Sequence, residues 1–497
     1  MGYNDFKTRL QKIADIGFAS AILSWDQETY MPQKGADFRA RQLSTLAGVS
    51  HKMYTDEGFG KILAVLKNDA SLTQKETKNV SLTLEDYEKQ KRYSTEFVEE
   101  MSRTVSECFM AWQAAKEKND FSVYAPKLEK LVALKRKECE ILGYKGHPYN
   151  ALLDQYEKGT TTAEVEQLFE EVKKELVPFV KKIAAAQQVD DGFFYKHYDK
   201  QKQWELGIEL LKQMGYDFEA GRQDISSHPF TIHFNAQDVR VTTRINENDL
   251  SEMIWSCIHE GGHGLYEQGL PAEQYGLPLG ETVSLGIHES QSRLWENNVG
   301  RSLNYWKKNF SLVQQYFPEQ LKDVSAEDFY KGMNKVAPSF IRTSADELTY
   351  HFHVLIRFEI EKLLIEGKVN VNDLPELWNS KYKEYLDITV PDFSKGILQD
   401  IHWSHGSFGY FPTYSIGSFY AAQFFAQAQK EITGLDTQIS EGELLPLLNW
   451  LRDKVHQHGK MYTAAELCEK ITGEKLNFRY FMNYATRKYA GIYHLSE

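Results

Sequence analysis

Along most of the chain Leu, Ile, Phe and Tyr recur three or four positions apart among Glu, Lys and Gln, the period of a helix with one buried face. The pattern predicts helices over 5–24, 58–118, 125–143, 162–188, 199–215, 302–316, 344–366, 414–433, 440–457 and 474–489. Thr161 with Glu164, and Ser344 with Glu347, have the spacing of a capping box, while Gly215 and Gly367 fit C-terminal stops. One stretch breaks the period. Over 228–245, HPFTIHFNAQDVRVTTRI, β-branched and aromatic residues alternate about an Asn-Ala-Gln-Asp turn and predict a hairpin. In its second strand Asp238, Arg240 and Thr242 share one face, and Val239 and Val241 the other. Such a hairpin offers an edge strand to an extended peptide. With no repeat, low-complexity tract or long linker, the expectation is a mainly α chain forming one domain over 1–497, with sub-lobes about a cleft as the permitted variation.

Directly after the hairpin, Asp249 to Gln268 reads DLSEMIWSCIHEGGHGLYEQ. Asp249 with Glu252 suggests a capping box, Leu250, Met253, Ile254, Cys257 and Ile258 keep the helical period, and Gly269 before Pro271 suggests the stop. On that helix His259 and His263, four apart, share a face and can reach one ion, with Glu260 beside them: the spacing H-E-x-x-H. Gly261 and Gly262 lie inside the helix at a cost of about 1 kcal/mol each relative to Ala, which suggests that something approaches the backbone there.

Composition narrows the partners. A net charge of −12 argues against nucleic acid and against an anionic membrane surface, both of which select a positive face. No run approaches the ~20 apolar residues of a membrane span, and MGYNDFKTRLQKIADIGF has no signal-peptide core, so a cytoplasmic protein is expected. Phe6 stands where myristoylation wants Ser or Thr. Cys108, Cys139, Cys257 and Cys468 form no C-x-x-C pair, which leaves a thiolate zinc site or disulfide framework without support.

A catalytic zinc takes three protein ligands and leaves a position for water. Glu267 lies about 12 Å of helical rise from His259, too far to join it when each ligand sits about 2 Å from the ion. The next helix is predicted at 282–299. If it packs antiparallel, the histidines face roughly positions 287 to 291, which admits Glu289 and excludes Glu281 as too early and Glu296 as too late. His288 is the rival, because neighbours on a helix diverge by about 100° and only one of the two can face the ion squarely. Glu260 is turned toward the side where water would bind, the place of a general base.

These motifs extend into a wider set. His228-Pro229-Phe230, Asp238-Val239-Arg240-Val241-Thr242, His259-Glu260-Gly261-Gly262-His263, His288-Glu289-Ser290-Gln291, Ile341-Arg342-Thr343-Ser344-Ala345-Asp346 and Gly396-Ile397-Leu398-Gln399-Asp400-Ile401-His402-Trp403 follow one another in order. They resemble the HPF, DxRxT, HExxH, HES/GQ, IRxxAD and GxxQDxHW signatures of the M32 metallocarboxypeptidases, the carboxypeptidase Taq type. SWDQETYMP around Trp25 and Asp26, and GYFPTYSIGSFYAAQ from Gly409, also look like that family. The resemblance implies a large helical gluzincin-type metallopeptidase with a deep groove and a homodimer. It implies one divalent ion per chain on His259, His263 and Glu289, with Glu260 as catalytic base. Zinc is the first expectation for that ion, and cobalt or manganese the alternatives. It implies removal of single residues, with broad preference, from peptides with a free C-terminal carboxylate. The competing readings are an H-E-x-x-H endopeptidase and a non-catalytic, metal-stabilised binding protein.

A terminal carboxylate suits the bidentate geometry of Arg. Arg342, just ahead of the expected cap Ser344, and Arg240 on the hairpin face are the candidates, each weighed against an ion pair with its neighbour, Asp346 or Asp238. The resemblance tips both toward substrate, Arg342 more than Arg240. His228 and His402 are substrate-contact candidates by their place in the motifs. Tyr410 and Tyr414 are alternatives for a phenol that stabilises the oxyanion.

Overall fold

Caps, more than apolar periodicity, decide where the helices start and stop. In the computed structural model, which describes Gly2–Leu495 apart from Ser227, the stretch expected as one helix over 58–118 is three: Glu57–Leu66, Gln74–Gln90 and Thr95–Lys118. Thr73 and Glu76 close a reciprocal capping box, and the Ser94 hydroxyl accepts from the Phe97 amide. Each cap satisfies amides that would otherwise be orphaned, so a new helix begins inside an unbroken apolar period. The expected helix at 440–457 is likewise divided, into Leu435–Glu441 and Leu445–Lys454, that at 474–489 is shifted to Arg479–Tyr493, and Ala464–Thr472 is a helix the periodicity does not predict. The box at Thr161 and the left-handed stops at Gly215 and Gly367 form as expected.

Two predicted capping boxes do not form. Ser344 closes a single 3-10 turn, Arg342–Ser344, and the helix begins only at Tyr350. Asp346 takes the capping part, accepting from the Leu348 and Thr349 amides and the Thr349 hydroxyl. Asp249 does cap its helix, through the Ser251 amide, but Glu252 pairs with Arg244 instead of completing a box.

The chain folds as two compact units, each assembled from three segments. Met1–Lys91, Asp190–Met333 and Tyr420–Leu476 form the first; Arg92–Val189, Asn334–Phe419 and Asn477–Glu497 form the second. Phe6, Leu10, Phe59, Leu63, Leu66, Val80, Tyr87 and Leu277 make a buried cluster in the first unit. In the second, Tyr149 and Phe169 pack on Phe358. Helix makes up 69% of the chain, so the class is mainly α. No helix among the described residues is long and apolar enough to cross a membrane.

The hairpin forms as β2 (Thr231–Asn235) antiparallel to β3 (Asp238–Thr243). A strand the periodicity does not predict, β1 (Gly221–Ile225), pairs parallel with β3 on its other side and makes β3 central. Val239 and Val241 are buried, and Val241 packs against Gly264 of the helix Leu250–Gln268, here the motif helix. The sheet thereby sets the motif helix at a fixed height against β2.

Candidate metal centre and active site

A second short helix, Leu285–Arg293, crosses the motif helix where the two interior glycines lie, and continues as a π-helix over Leu294–Gly300. A Cβ on Gly262 would stand 2.7 Å from the Ser292 Cα and 2.9 Å from the Gln291 carbonyl oxygen; one on Gly261 would meet Leu211 at 2.6 Å. The glycines are what allow the neighbouring helices this close. The approach carries Glu289 to the histidines: its Oε2 lies 3.5 Å from His263 Nε2 and 3.8 Å from His259 Nε2. The three donor atoms lie within 4.8 Å of one another.

The chemistry of these donors fits a cation. His259 Nδ1 donates to Glu296 Oε2 at 2.8 Å, since a carboxylate only accepts, and this turns Nε2 to Glu289; against the cost of burial, Glu289 and Glu296 raise the pKa of the ring. Burial, and then the nearby His288, push His263 down to about 3, so its imidazole is neutral. Against the cost of burial, Arg293 and the histidines hold Glu289 below the ordinary carboxylate range, so it is ionised. The gaps of 3.5 and 3.8 Å exceed the about 2.7–3.2 Å of a normal N–H···O bond. Ligands about 2 Å from a tetrahedral ion stand roughly 3.4 Å apart, which matches.

Glu260 is buried on the same helix and is not one of that trio. The Thr231 hydroxyl donates to Glu260 Oε2 at 2.7 Å, so β2 aims the carboxylate. Burial raises its pKa, against the opposing pull of His259 and of the Thr231 bond.

Several residues around the trio were not assigned these parts by sequence. Glu296, excluded there as a ligand, supports one instead: the π-helix brings its carboxylate to the outer nitrogen of His259. Arg293 donates to both Glu289 (2.6 Å) and Glu296 (2.9 Å), and Arg301 reaches Glu296 at 3.3 Å. Thr231, one residue past the HPF motif, and Glu267 with His233 and His288 are the others. Seven-residue spacing from Glu289 to Glu296 is the only sequence signal for any of them. Glu281 is exposed and pairs with Lys460.

The other predicted residues are distributed differently. Arg240 donates to Asp238 from Nε and from Nη2, each at 2.9 Å, and packs over Trp25 (4.5 Å) and Phe234 (4.8 Å). His228 is exposed, and its carbonyl accepts from the Ser226 hydroxyl.

Arg342, His402, Tyr410 and Tyr414 belong to the second unit. The ion-pair partner of Arg342 is Asp400 (3.0 Å), where sequence proximity had suggested Asp346, and no helix N-terminus adjoins it because the helix starts eight residues later. Its Nη1 donates to the Tyr350 hydroxyl (3.1 Å) and its plane lies 4.8 Å from the Tyr414 ring; Nη2 has no partner among the described residues. Arg357 also binds Asp400, at 2.6 Å. His402 Nε2 lies 3.1 Å from the Tyr414 hydroxyl, and burial followed by Arg342 lowers its pKa to about 3. The Tyr410 ring packs edge-on against Tyr156.

Comparison with known proteins agrees across the whole length. A family model described as carboxypeptidase Taq (M32) metallopeptidase matches residues 5–489. Carboxypeptidase 1 of Bacillus subtilis is 40% identical over 491 residues, covering 98% of both chains. Thermostable carboxypeptidase 1 of Thermus thermophilus is 39% identical, again covering 98% of each. The crystal structure of the M32 carboxypeptidase from Deinococcus radiodurans superposes with a TM-score of 0.97 at 39% identity, over 99% of both chains.

Proposed function

This chain belongs to the carboxypeptidase Taq (M32) family of metallopeptidases and is a metal-dependent carboxypeptidase; from that premise we propose that it removes single residues from peptide C-termini, with broad preference, using Glu260 as general base and His259, His263 and Glu289 as the ligands of one divalent ion. The observation that carries this is the convergence of the three donors, with the buried Glu260 beside them and outside the set. Zinc is the ion we propose, as the usual partner of two histidines and a carboxylate in peptide hydrolysis, with cobalt or manganese as replacements.

When bound, the ion would polarise the scissile carbonyl and lower the pKa of water in its shell toward about 7. Glu260, oriented by Thr231, takes the proton from the attacking water as oxygen bonds to the carbonyl carbon, then delivers it to the departing amine as the C–N bond breaks. Its raised pKa brings it nearer that of the water it deprotonates, as a general base requires. Arg342 is our choice for the terminal carboxylate, since its Nη2 has donors to offer beside the bonds to Asp400 and Tyr350; Arg240, which donates to Asp238 through Nε and Nη2, is the second candidate. Either Tyr410 or Tyr414 supplies the phenol for the oxyanion, and single Phe substitutions separate them by which lowers kcat. The reading includes a homodimer, which sedimentation at micromolar concentration tests.

The principal test is mass spectrometry of a digested peptide. Loss of one C-terminal residue after another supports the proposal. Internal fragments released from an amidated peptide at an undiminished rate would favour an endopeptidase.

A further inference from the structure

Metal-binding histidines are held by what their outer nitrogen does. His259 follows that rule, through Glu296 at 2.8 Å. His263 does not: its Nδ1 is buried and has no hydrogen-bond partner among the described residues. What holds its ring is a face contact. The His288 imidazole stacks on it with centroids 4.3 Å apart and planes 24° from parallel. His288 is itself fixed, because its Nε2 donates to Glu267 Oε1 at 2.8 Å, and the same oxygen accepts from His233 Nδ1 at 3.2 Å. Glu267 is anchored one helical turn beyond His263 on the motif helix, so the clamp returns to the element that carries the ligand. His288 is adjacent to Glu289, and one short segment therefore delivers a ligand and the support for another.

We infer that His288 is a positioning residue for His263, acting as a flat ring clamped by Glu267 and His233 that replaces the missing outer hydrogen bond and sets the affinity of the metal site. The inference rests on the ligand set proposed above. It gives His288, the rival of Glu289 as a ligand, and Glu267, too far along the motif helix to be one, a common task, and it accounts for a ligand histidine with an orphaned nitrogen.

Zinc affinity of the apoprotein, measured by competition with a chromophoric chelator, tests it without reference to activity. His288→Ala should weaken zinc by about tenfold to a hundredfold, the usual effect of losing such support. His288→Phe, which keeps the flat face and removes the hydrogen bond, should stay near the wild-type constant, while His288→Leu, which fills the space without a plane, should weaken binding as Ala does. If the Ala variant does not fold, Phe against Leu decides. Equal affinities for the Phe and Leu variants, or an Ala variant that binds as tightly as wild type, would overturn the inference. His263→Ala separates the premise from the inference: retained stoichiometric zinc there would mean that the ligand set, not the clamp, is wrong.

Discussion

Two buried carboxylates near the same histidines are pushed in opposite directions by their surroundings. Arg293 and the histidines keep Glu289 ionised against the cost of burial, whereas burial raises Glu260, whose carboxylate accepts from the neutral Thr231 hydroxyl. Opposed environments of this kind separate a ligand from a base. Glu260→Gln should therefore keep its metal, by atomic absorption after dialysis, and lose at least about a hundredfold in kcat, the lower range for removing a general base. Full activity in that variant would end the mechanism. Glu289→Ala should come through the same dialysis stripped, while Glu281→Ala, altered at an exposed residue paired with Lys460, keeps its ion. At this scale the residues of H-E-x-x-H were legible because four positions on a helix fix a shared face. Glu296 was not, since a straight helix would have carried it past the histidines, and the π-helical turn that returns it leaves no mark in the residue pattern.

The crossing of the motif helix and the Leu285–Arg293 helix is where local preference and packing disagree, and magnitudes decide between them. Propensity favours Ala over Gly in a helix interior by about 1 kcal/mol. At position 262 the new methyl would lie 2.7 Å from a backbone Cα, and overpacking of that kind costs about 1–3 kcal/mol, with backbone unable to swing aside as a side chain can. Gly262→Ala is thus expected to lower the melting temperature and weaken metal binding together, because separating the helices carries Glu289 away from His263. A stabilised variant with unchanged metal content would show that the approach is looser than described. The two glycines announced a close neighbour in the sequence; which element approached them required the fold.

For the whole molecule, two predictions belong to the second unit: the part proposed for Arg342 in recognising a free C-terminus, and stability against pH. Charge-assisted hydrogen bonds are worth about 1.5–3 kcal/mol, so Arg342→Ala, or amidation of the substrate, should reduce kcat/KM at least about tenfold. Equal rates on the acid and the amide would remove Arg342 from the site. In the same unit Glu361 is fully buried, accepting from the Tyr149 hydroxyl (2.6 Å), the Trp403 indole (2.8 Å) and the Gly409 amide (2.9 Å), and burial raises its pKa to about 7. A carboxyl whose folded pKa lies above its unfolded value of about 4.3 adds stability that is fully present below that value and is lost as pH rises through about 7. Glu361→Gln cannot ionise, so its stability relative to wild type should improve between pH 5 and pH 8 in urea melts. A difference that does not change with pH would mean Glu361 is charged throughout.

Period and spacing by themselves determined the helical class, the β2–β3 hairpin, the motif helix and the histidine pair, because each depends on neighbours within a few residues. The register window that admitted Glu289 also came from the chain, on the assumption that the next helix packs antiparallel across the connection from Gly269 to Ser284. Tertiary structure decided what depends on distant segments: β1 beside β3, Thr231 on Glu260, and His288 against His263. It also gave Arg342 a partner fifty-eight residues distant in Asp400, whereas the Asp238–Arg240 pair was legible from the strand period. No local period encodes the distant pairs. They exist only once the packed backbone has fixed which charged groups share the low-dielectric interior.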